Sequence, residues 1–349
     1  MISNAEAEES AILRPRLTHE FFGHSAAEQI LLDAYRSGRV PHAWLIGGER
    51  GIGKATLAYR MARFVLAHDN PLGNDVQRAT TLEIAASHPV ARQVASGAHG
   101  GLLTLERAAN DKGVLRTVIT VDEVRQTIPF FGSTAALDGW RICIVDTVDE
   151  LNPNAANALL KILEEPPPQS LFLLISHAPA RLLPTILSRC RKLLLRPLAA
   201  RDVLAAAAQA GGLSMDDPAL MEAAEAAEGS VARALTLMGG DALKLHQRTT
   251  ALLAVLPHVD PRDLHALGDA LGGGGDRVAL ATFIDSVERW LSEQLQMEKG
   301  SPGANLARLA RLAEVWEKIT RAARDTEIYN LERKPLVFSV FGLLAEAVG

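Results

Sequence analysis

Ala43-Trp44-Leu45-Ile46 runs through Gly47 into Gly48-Glu49-Arg50-Gly51-Ile52-Gly53-Lys54-Ala55. The second segment has the spacing of a phosphate loop, G-x-x-x-x-G-K. In such a loop backbone N–H groups wrap phosphates, the lysine reaches the outer ones, and a Ser or Thr hydroxyl after the lysine holds Mg²⁺. Gly48, Gly51, Gly53 and Lys54 supply the cradle and the charge, but Ala55 has no oxygen to give. Thr56 follows. One residue turns a helix by ~100°, so its hydroxyl is expected to point elsewhere. The four apolar residues before the loop read as a short buried strand, and Ala55 to Ala67 as the helix after it. This strand–loop–helix setting is what a phosphate loop requires.

Outward from the loop, strands and helices alternate. Ala26 to Arg36 has helical spacing in Ile30, Leu31, Ala34 and Tyr35. Leu102 to Glu106, Arg141 to Val145, Leu171 to Ile175 and Lys192 to Leu195 read as strands. Val121 to Phe131, Pro153 to Leu163 and Pro179 to Leu187 read as helices between them. Asn152 is placed to cap the second of these, and Pro166-Pro167-Pro168 to stop it. Alternation of this kind predicts a parallel α/β sheet.

Two further points bear on chemistry. Ile142-Cys143-Ile144-Val145-Asp146 is an apolar strand ending in an aspartate, the pattern of a Mg²⁺-holding Walker B carboxylate. Hydrolytic proteins of this class place a water-activating Glu next; here the residue is Thr147, a poor base. Asp149 and Glu150 lie beyond the strand end and are expected to point away. Ala55 and Thr147 together argue against turnover. Ser188-Arg189-Cys190, between a helix and the closing strand, offers an arginine at the edge of the sheet domain. An arginine on a chain whose own site is damaged suggests service at a neighbour's nucleotide.

These segments resemble a known family. Asn157-Ala158-Leu159-Leu160-Lys161-Ile162-Leu163-Glu164-Glu165-Pro166-Pro167 is similar to the N-A-L-L-K-x-L-E-E-P-P signature of the clamp-loader subunits of bacterial DNA polymerase III. Pro184-Thr185-Ile186-Leu187-Ser188-Arg189-Cys190-Arg191 and Pro41-His42-Ala43-Trp44-Leu45 are similar to that family too, over roughly residues 20 to 200. The degraded site resembles the delta-prime branch more than the gamma/tau ATPases. The resemblance implies an AAA+ module (a parallel five-stranded sheet with flanking helices), a small helical lid and a C-terminal all-α collar. It places the α/β domain at 1–199, the first fifteen residues being a flexible leader, the lid at 200–241 and the collar at 242–349. It implies a stator in a hetero-oligomer with gamma/tau and delta subunits, acting on the sliding clamp and primed DNA through the complex. Arg189 would reach the ATP site of the adjacent gamma/tau subunit. Ser176 falls at the sensor-1 position. Gly229-Ser230-Val231-Ala232-Arg233-Ala234-Leu235 resembles the sensor-2 segment, but Arg233 stands one position late, with Ala232 in the arginine's place. The resemblance leaves weak ATP or ADP binding open and requires no cofactor. Many members carry a cysteine-held zinc module; the corresponding region, His68 to Gly101, has no Cys, so no zinc and no other metal is expected.

Two other readings belong beside this one: a hydrolysing gamma/tau-type subunit, and a nucleotide-dependent interaction module with no role at a neighbour's site. The remaining composition is consistent with all three. Net charge is −5, so no global basic field advertises nucleic acid. Cys143 and Cys190 are the only cysteines, too few for a disulfide framework. There is no apolar signal segment, and no apolar run reaches the ~18 residues of a membrane helix. A reducing cytoplasm is the expected setting. The ten histidines show no metal-ligand spacing. Beyond Asp241 three helical stripes stand out. One holds Phe283, Val287, Trp290 and Leu291, the next Leu306, Leu309, Leu312, Trp316 and Ile319, and the last Leu336, Val340, Phe341 and Leu344. They predict a helical bundle, with a subunit interface as an additional use. A break is expected at Gly272-Gly273-Gly274-Gly275. The basic stripe Lys318, Arg321 and Arg324 is read as a solvated face.

Overall fold

The computed structural model describes residues 15–109, 116–132, 139–272, 277–300, 306–329 and 331–348. Two compact units make up the chain, one up to Ala234 and one from Leu235 onward. The boundary falls inside the helix Val231–Leu237.

The first unit is built on five parallel strands: β1 (Ala43–Gly47), β2 (Leu102–Glu106), β3 (Arg141–Asp146), β4 (Ser170–Ser176) and β5 (Arg191–Leu194). Their order across the sheet is β2-β3-β4-β1-β5. Every residue of β1 and β4 is buried, as expected of strands covered on both faces; Ala43 to Ile46 and Leu171 to Ile175 are unbroken apolar runs. One face packs Trp44, Ile46, Ile142, Leu171 and Leu173 against the helices Ser25–Arg36 and Lys54–Ala67. The other packs Leu45, Cys143, Val145, Phe172 and Leu174 against Leu159 and Leu163 of the helix Pro153–Glu164. This is the parallel five-stranded sheet with flanking helices that the AAA+ resemblance implies. Cys143 is fully buried core, as the sequence suggests.

Register matters most at the carboxyl ends. Gly47 lies beside Ser176, and Ile175 beside Asp146. β4 therefore stands between the loop strand and the aspartate strand, and the three ends converge on one crevice.

Two helices differ from their sequence reading. Val121 to Phe131 is two helices, Val121–Arg125 and Thr127–Gly132. Pro129 has no N–H to donate to the carbonyl of Arg125, so the first helix cannot run on. Pro179 to Leu187 is likewise a 3₁₀ turn, Pro179–Arg181, then a short helix, Pro184–Leu187. Leu183, which precedes Pro184, is held extended at ψ 132°. Asn152 caps the helix Pro153–Glu164 as expected, accepting from Ala155 N–H at 2.8 Å. The helices Ala200–Gly211 and Pro218–Ala226 complete this unit.

The second unit is a helical bundle: Ala242–Ala254, Pro261–Gly272, Arg277–Gly300, Leu306–Ile328 and Arg333–Val348. Phe283, Val287, Leu291, Leu336, Val340, Phe341 and Leu344 are buried, so the first and last stripes close on their own core, with Trp290 partly buried against it. The middle stripe is shifted. Its seam is Leu312, Val315 and Ile319, with Trp316 partly buried beside it, while Leu306 is 81% exposed. Leu306 lies six residues before Leu312, which places it about 120° round the helix from the seam. Lys318 and Arg321 are paired along the helix with Glu314 (2.8 Å) and Glu317 (3.0 Å), as a solvated face would have them. The predicted glycine break coincides with a helix end at Gly272; the glycines after it lie outside the described residues.

Candidate functional site

A cavity of about 350 Å³ opens at the carboxyl ends of the strands. Gly51, Gly53, Lys54, Ala55, Thr56 and Asp146 all line it. Gly48 and Ser176 stand behind it, joined by a bond from Gly48 N–H to Ser176 O at 3.2 Å. Arg189 is not part of it. Thr56, expected to turn away, lines the cavity beside Ala55, because the first turn of the helix opens directly onto the space.

The loop holds its shape through its glycines. Gly51 has φ +78°, and a Cβ there would come within 2.3 Å of Ser230 Oγ and 2.7 Å of Ala232 Cβ. Val231 N–H donates to Gly51 O at 2.9 Å, so the sensor-2-like segment rests on the loop itself. Ala232 lines the cavity, while Arg233 is buried with Glu228 at 3.8 Å and is not among the lining residues. The one-residue offset read in the sequence thus has the expected effect.

Lys54 is only 3% exposed. Its Nζ donates to the carbonyl of Gly48 at 2.8 Å and to that of Glu49, so the ammonium is turned onto its own loop. Burial lowers its pKa to about 8, against the opposing pull of Asp146 and Asp149. Burial raises that of Asp146 to about 6, helped by Glu106 and Glu150 and opposed by Lys54 and Arg50. Glu106 is the direct neighbour of Asp146 in the sheet register.

Beyond the aspartate, Thr147 is buried, and its Oγ1 has no hydrogen-bond partner. Asp149 is not among the residues lining the cavity, and it has a structural task the sequence did not reveal. It accepts from Ser176 Oγ at 2.8 Å and from the N–H of His177 at 2.6 Å, fixing the end of β4. Glu150 pairs with Arg107 at 3.0 Å.

The opposite wall was also missed. It is the segment Pro15–Phe22, which contributes Pro15, Thr18, Phe21 and Phe22. Two arginines of the loop helix pin it. Arg63 donates to the carbonyls of Arg16 (3.1 Å) and Thr18 (2.6 Å), and Arg60 to that of His19 (2.6 Å). Arg60 is itself held by buried Glu28 at 2.5 Å. Buried arginines inside an apolar helix face were the available signal.

Chemically the cavity has a phosphate cradle, a lysine and one strand-end carboxylate, Asp146, with Glu20 on the facing wall. It lacks the metal-binding hydroxyl after the lysine and a carboxylate at position 147. The loop, Lys54 and the helix start suit a phosphate group, whereas position 55 offers no metal-binding hydroxyl and position 147 no general base. Among the described residues no three His, Cys, Asp or Glu side chains gather as a metal ligand set.

Arg189 lies elsewhere on the unit, its side chain 31% exposed. It follows the helix Pro184–Leu187 and precedes β5. Its Nη2 donates to Glu164 Oε1 at 2.6 Å, and its Nη1 to Thr185 O at 2.9 Å.

A family model described as DNA polymerase III, delta subunit, matches residues 23–199, just over half the chain. The chain is 39% identical over 149 residues to DNA polymerase III subunit delta' of Pseudomonas aeruginosa, covering 43% of this chain and 41% of that protein. It is 33% identical over 242 residues to DNA polymerase III subunit delta' of Escherichia coli K12, covering 69% of this chain and 67% of that protein. DNA polymerase III subunit tau of the same organism is 28% identical over 273 residues, 76% of this chain and 40% of its own. A phosphate loop without its hydroxyl, a parallel sheet in this strand order and these matches lead to one statement: the chain belongs to the delta-prime family of DNA polymerase III clamp-loader subunits.

Proposed function

We propose that the chain is a non-hydrolysing stator of a DNA polymerase III clamp loader. It assembles with gamma/tau and delta subunits in the cytoplasm and supports ATP-dependent loading of the sliding clamp onto primed DNA. It donates Arg189 to the ATP site of the adjacent gamma/tau-type subunit. The observation that carries the reading is Thr147: a buried hydroxyl, not a carboxylate, follows Asp146 at the end of β3. With no base to orient water, a phosphate held at Lys54 has no attacking partner.

Arg189 suits the complementary task. A permanently charged planar fork bridges phosphate oxygens as charge shifts during transfer. The cavity is proposed to bind ATP or ADP weakly, through the loop and Lys54, with no zinc or other metal required. In a three-part division, residues 1–199 form the AAA+ domain, 200–241 the lid and 242–349 the collar through which the chain joins the ring. A chain ending near Gly240 would then fail to join the complex; co-purification with partners at the full-length level would overturn the collar assignment.

Steady-state ATPase of the purified chain, alone and mixed with its partner subunits, tests the central reading. Negligible turnover alone is the expected result. Turnover by the isolated chain, abolished by Lys54→Ala, would replace it with a hydrolysing gamma/tau-type subunit. Isothermal titration with ATP and ADP tests the cavity; no heat up to millimolar nucleotide would make the loop vestigial.

A further inference from the structure

The side chain of Arg189 is engaged by its own chain. Both ends of its fork are occupied, Nη2 by Glu164 Oε1 at 2.6 Å and Nη1 by Thr185 O at 2.9 Å and Ser188 Oγ at 3.4 Å. A carboxylate presents to a guanidinium the same kind of oxygen that a phosphate does. Glu164 therefore stands where an incoming phosphate oxygen would have to bind.

The backbones on both sides of this pair are fixed. Leu163, next to Glu164, is 1% exposed, and Ile186 and Cys190, flanking the arginine, are 1% and 8% exposed. The side chains reach solvent: 31% of Arg189 and 49% of Glu164 are exposed. Exchange of partners thus needs only rotamer changes. Glu164 is also the last residue of the helix Pro153–Glu164. A carboxylate there opposes the helix dipole, so helix stability gives no reason for it, whereas the arginine opposite does.

We propose that Glu164 is a positioning residue for Arg189. It parks the guanidinium on the chain's own surface and yields it to the neighbour's phosphate on assembly. This rests on the in-trans role proposed above. An exposed pair of this kind holds only modestly, so its loss should change the availability of the arginine by about 1.5- to 5-fold.

The test uses the complete reconstituted complex and steady-state ATP turnover. With Glu164→Gln, kcat/KM for ATP is expected to rise, by up to that factor where the neighbouring site limits turnover. In a chain that also carries Arg189→Ala, Glu164→Gln should change nothing, because the glutamate acts only through the arginine. A fall or no change on Glu164→Gln, in a complex that Arg189→Ala does impair, would overturn the parking role and leave the arginine's role standing. No effect of Arg189→Ala would overturn both. The pair itself is read independently in the isolated chain from the guanidinium ¹⁵N signals of Arg189. Rotation slowed in the natural chain and freed by Glu164→Gln is the expected result; equally free rotation in both would overturn the proposal.

Discussion

Lys54 and Arg189 are two cations held at different depths of the same unit. Lys54 is 3% exposed, and burial brings its pKa down to about 8. Arg189 sits at the rim, a third exposed, against one carboxylate. The difference teaches what burial does to a cation that a proposed phosphate ligand would have to reach. Inside, charge is costly and every missing partner weakens the chemistry. At the rim, water supports the charge, so an arginine can wait at little cost for a partner that arrives from another chain.

The sharpest way to break this contrast is Arg189→Ala. It should leave the isolated chain folded, with thermal unfolding unchanged to within about 1 kcal/mol, the range of exposed pairs. At the neighbouring site it should slow single-site ATP turnover by about 10³ or more, as for arginine fingers supplied in trans. In the complex proposed above, bulk clamp loading should fall less if other subunits carry ATP sites of their own. Arg189→Lys should restore little, because an ammonium lacks the fork. Unchanged turnover in a properly assembled complex would put the arginine on the same footing as the interior.

A smaller effect, of opposite kind, is expected inside. The pKa of folded Asp146 is about 6 against its ordinary 3.8, so the folded chain binds this proton more tightly than the unfolded one. Its contribution to stability is complete below the ordinary value and is lost as pH rises through the interval to about 6. Asp146→Asn should therefore stabilise the isolated chain by about 1–3 kcal/mol at pH 8 and by almost nothing near pH 4. Denaturant unfolding at the two pH values decides it; equal gains at both would mean that the buried charge is not the cause.

The smallest effect concerns the end of β4, beside the phosphate-loop strand. Ser176→Ala removes the bond from its hydroxyl to Asp149. A loss of about 1 kcal/mol is expected, with Asp149 still holding the backbone N–H of His177. A loss well above that would mean that the end of β4 depends on this hydroxyl alone.

What could be read from the residues follows their physics. β2 has the bounds read for it, Leu102 to Glu106, and the other strand ends fell within about one residue, because apolar runs between turn residues leave few alternatives. Gly51, Gly53, Lys54 and Asp146 were legible because phosphate-loop chemistry fixes residue types at fixed spacing. The helix breaks were carried by Pro129 and Pro184, and periodicity alone ran through them. Asp149 and Glu164 were not legible as partners: each meets its contact across 25 residues or more, and no local pattern encodes such a distance. The same is true of the wall made by Phe21 and Phe22, which depends on where Arg60 and Arg63 catch the chain. Exposure of Leu306 is a matter of phase along a long helix, where small errors in period accumulate.

The strand that carries the loop has a further consequence, in the time order of synthesis. β1 is complete at Gly47, yet its two neighbours are β4, beginning at Ser170, and β5, ending at Leu194. At ~5–20 residues per second, β1 waits roughly seven to thirty seconds for both. During that interval Ala43-Trp44-Leu45-Ile46 is an apolar strand with two open edges, the kind of segment that pairs with the wrong chain. The last stitch, from Val231 to Gly51, comes later still. Both edges of β1 thus stay open until just over half of the chain has been made, and the phosphate loop is among the last parts of its unit to be finished.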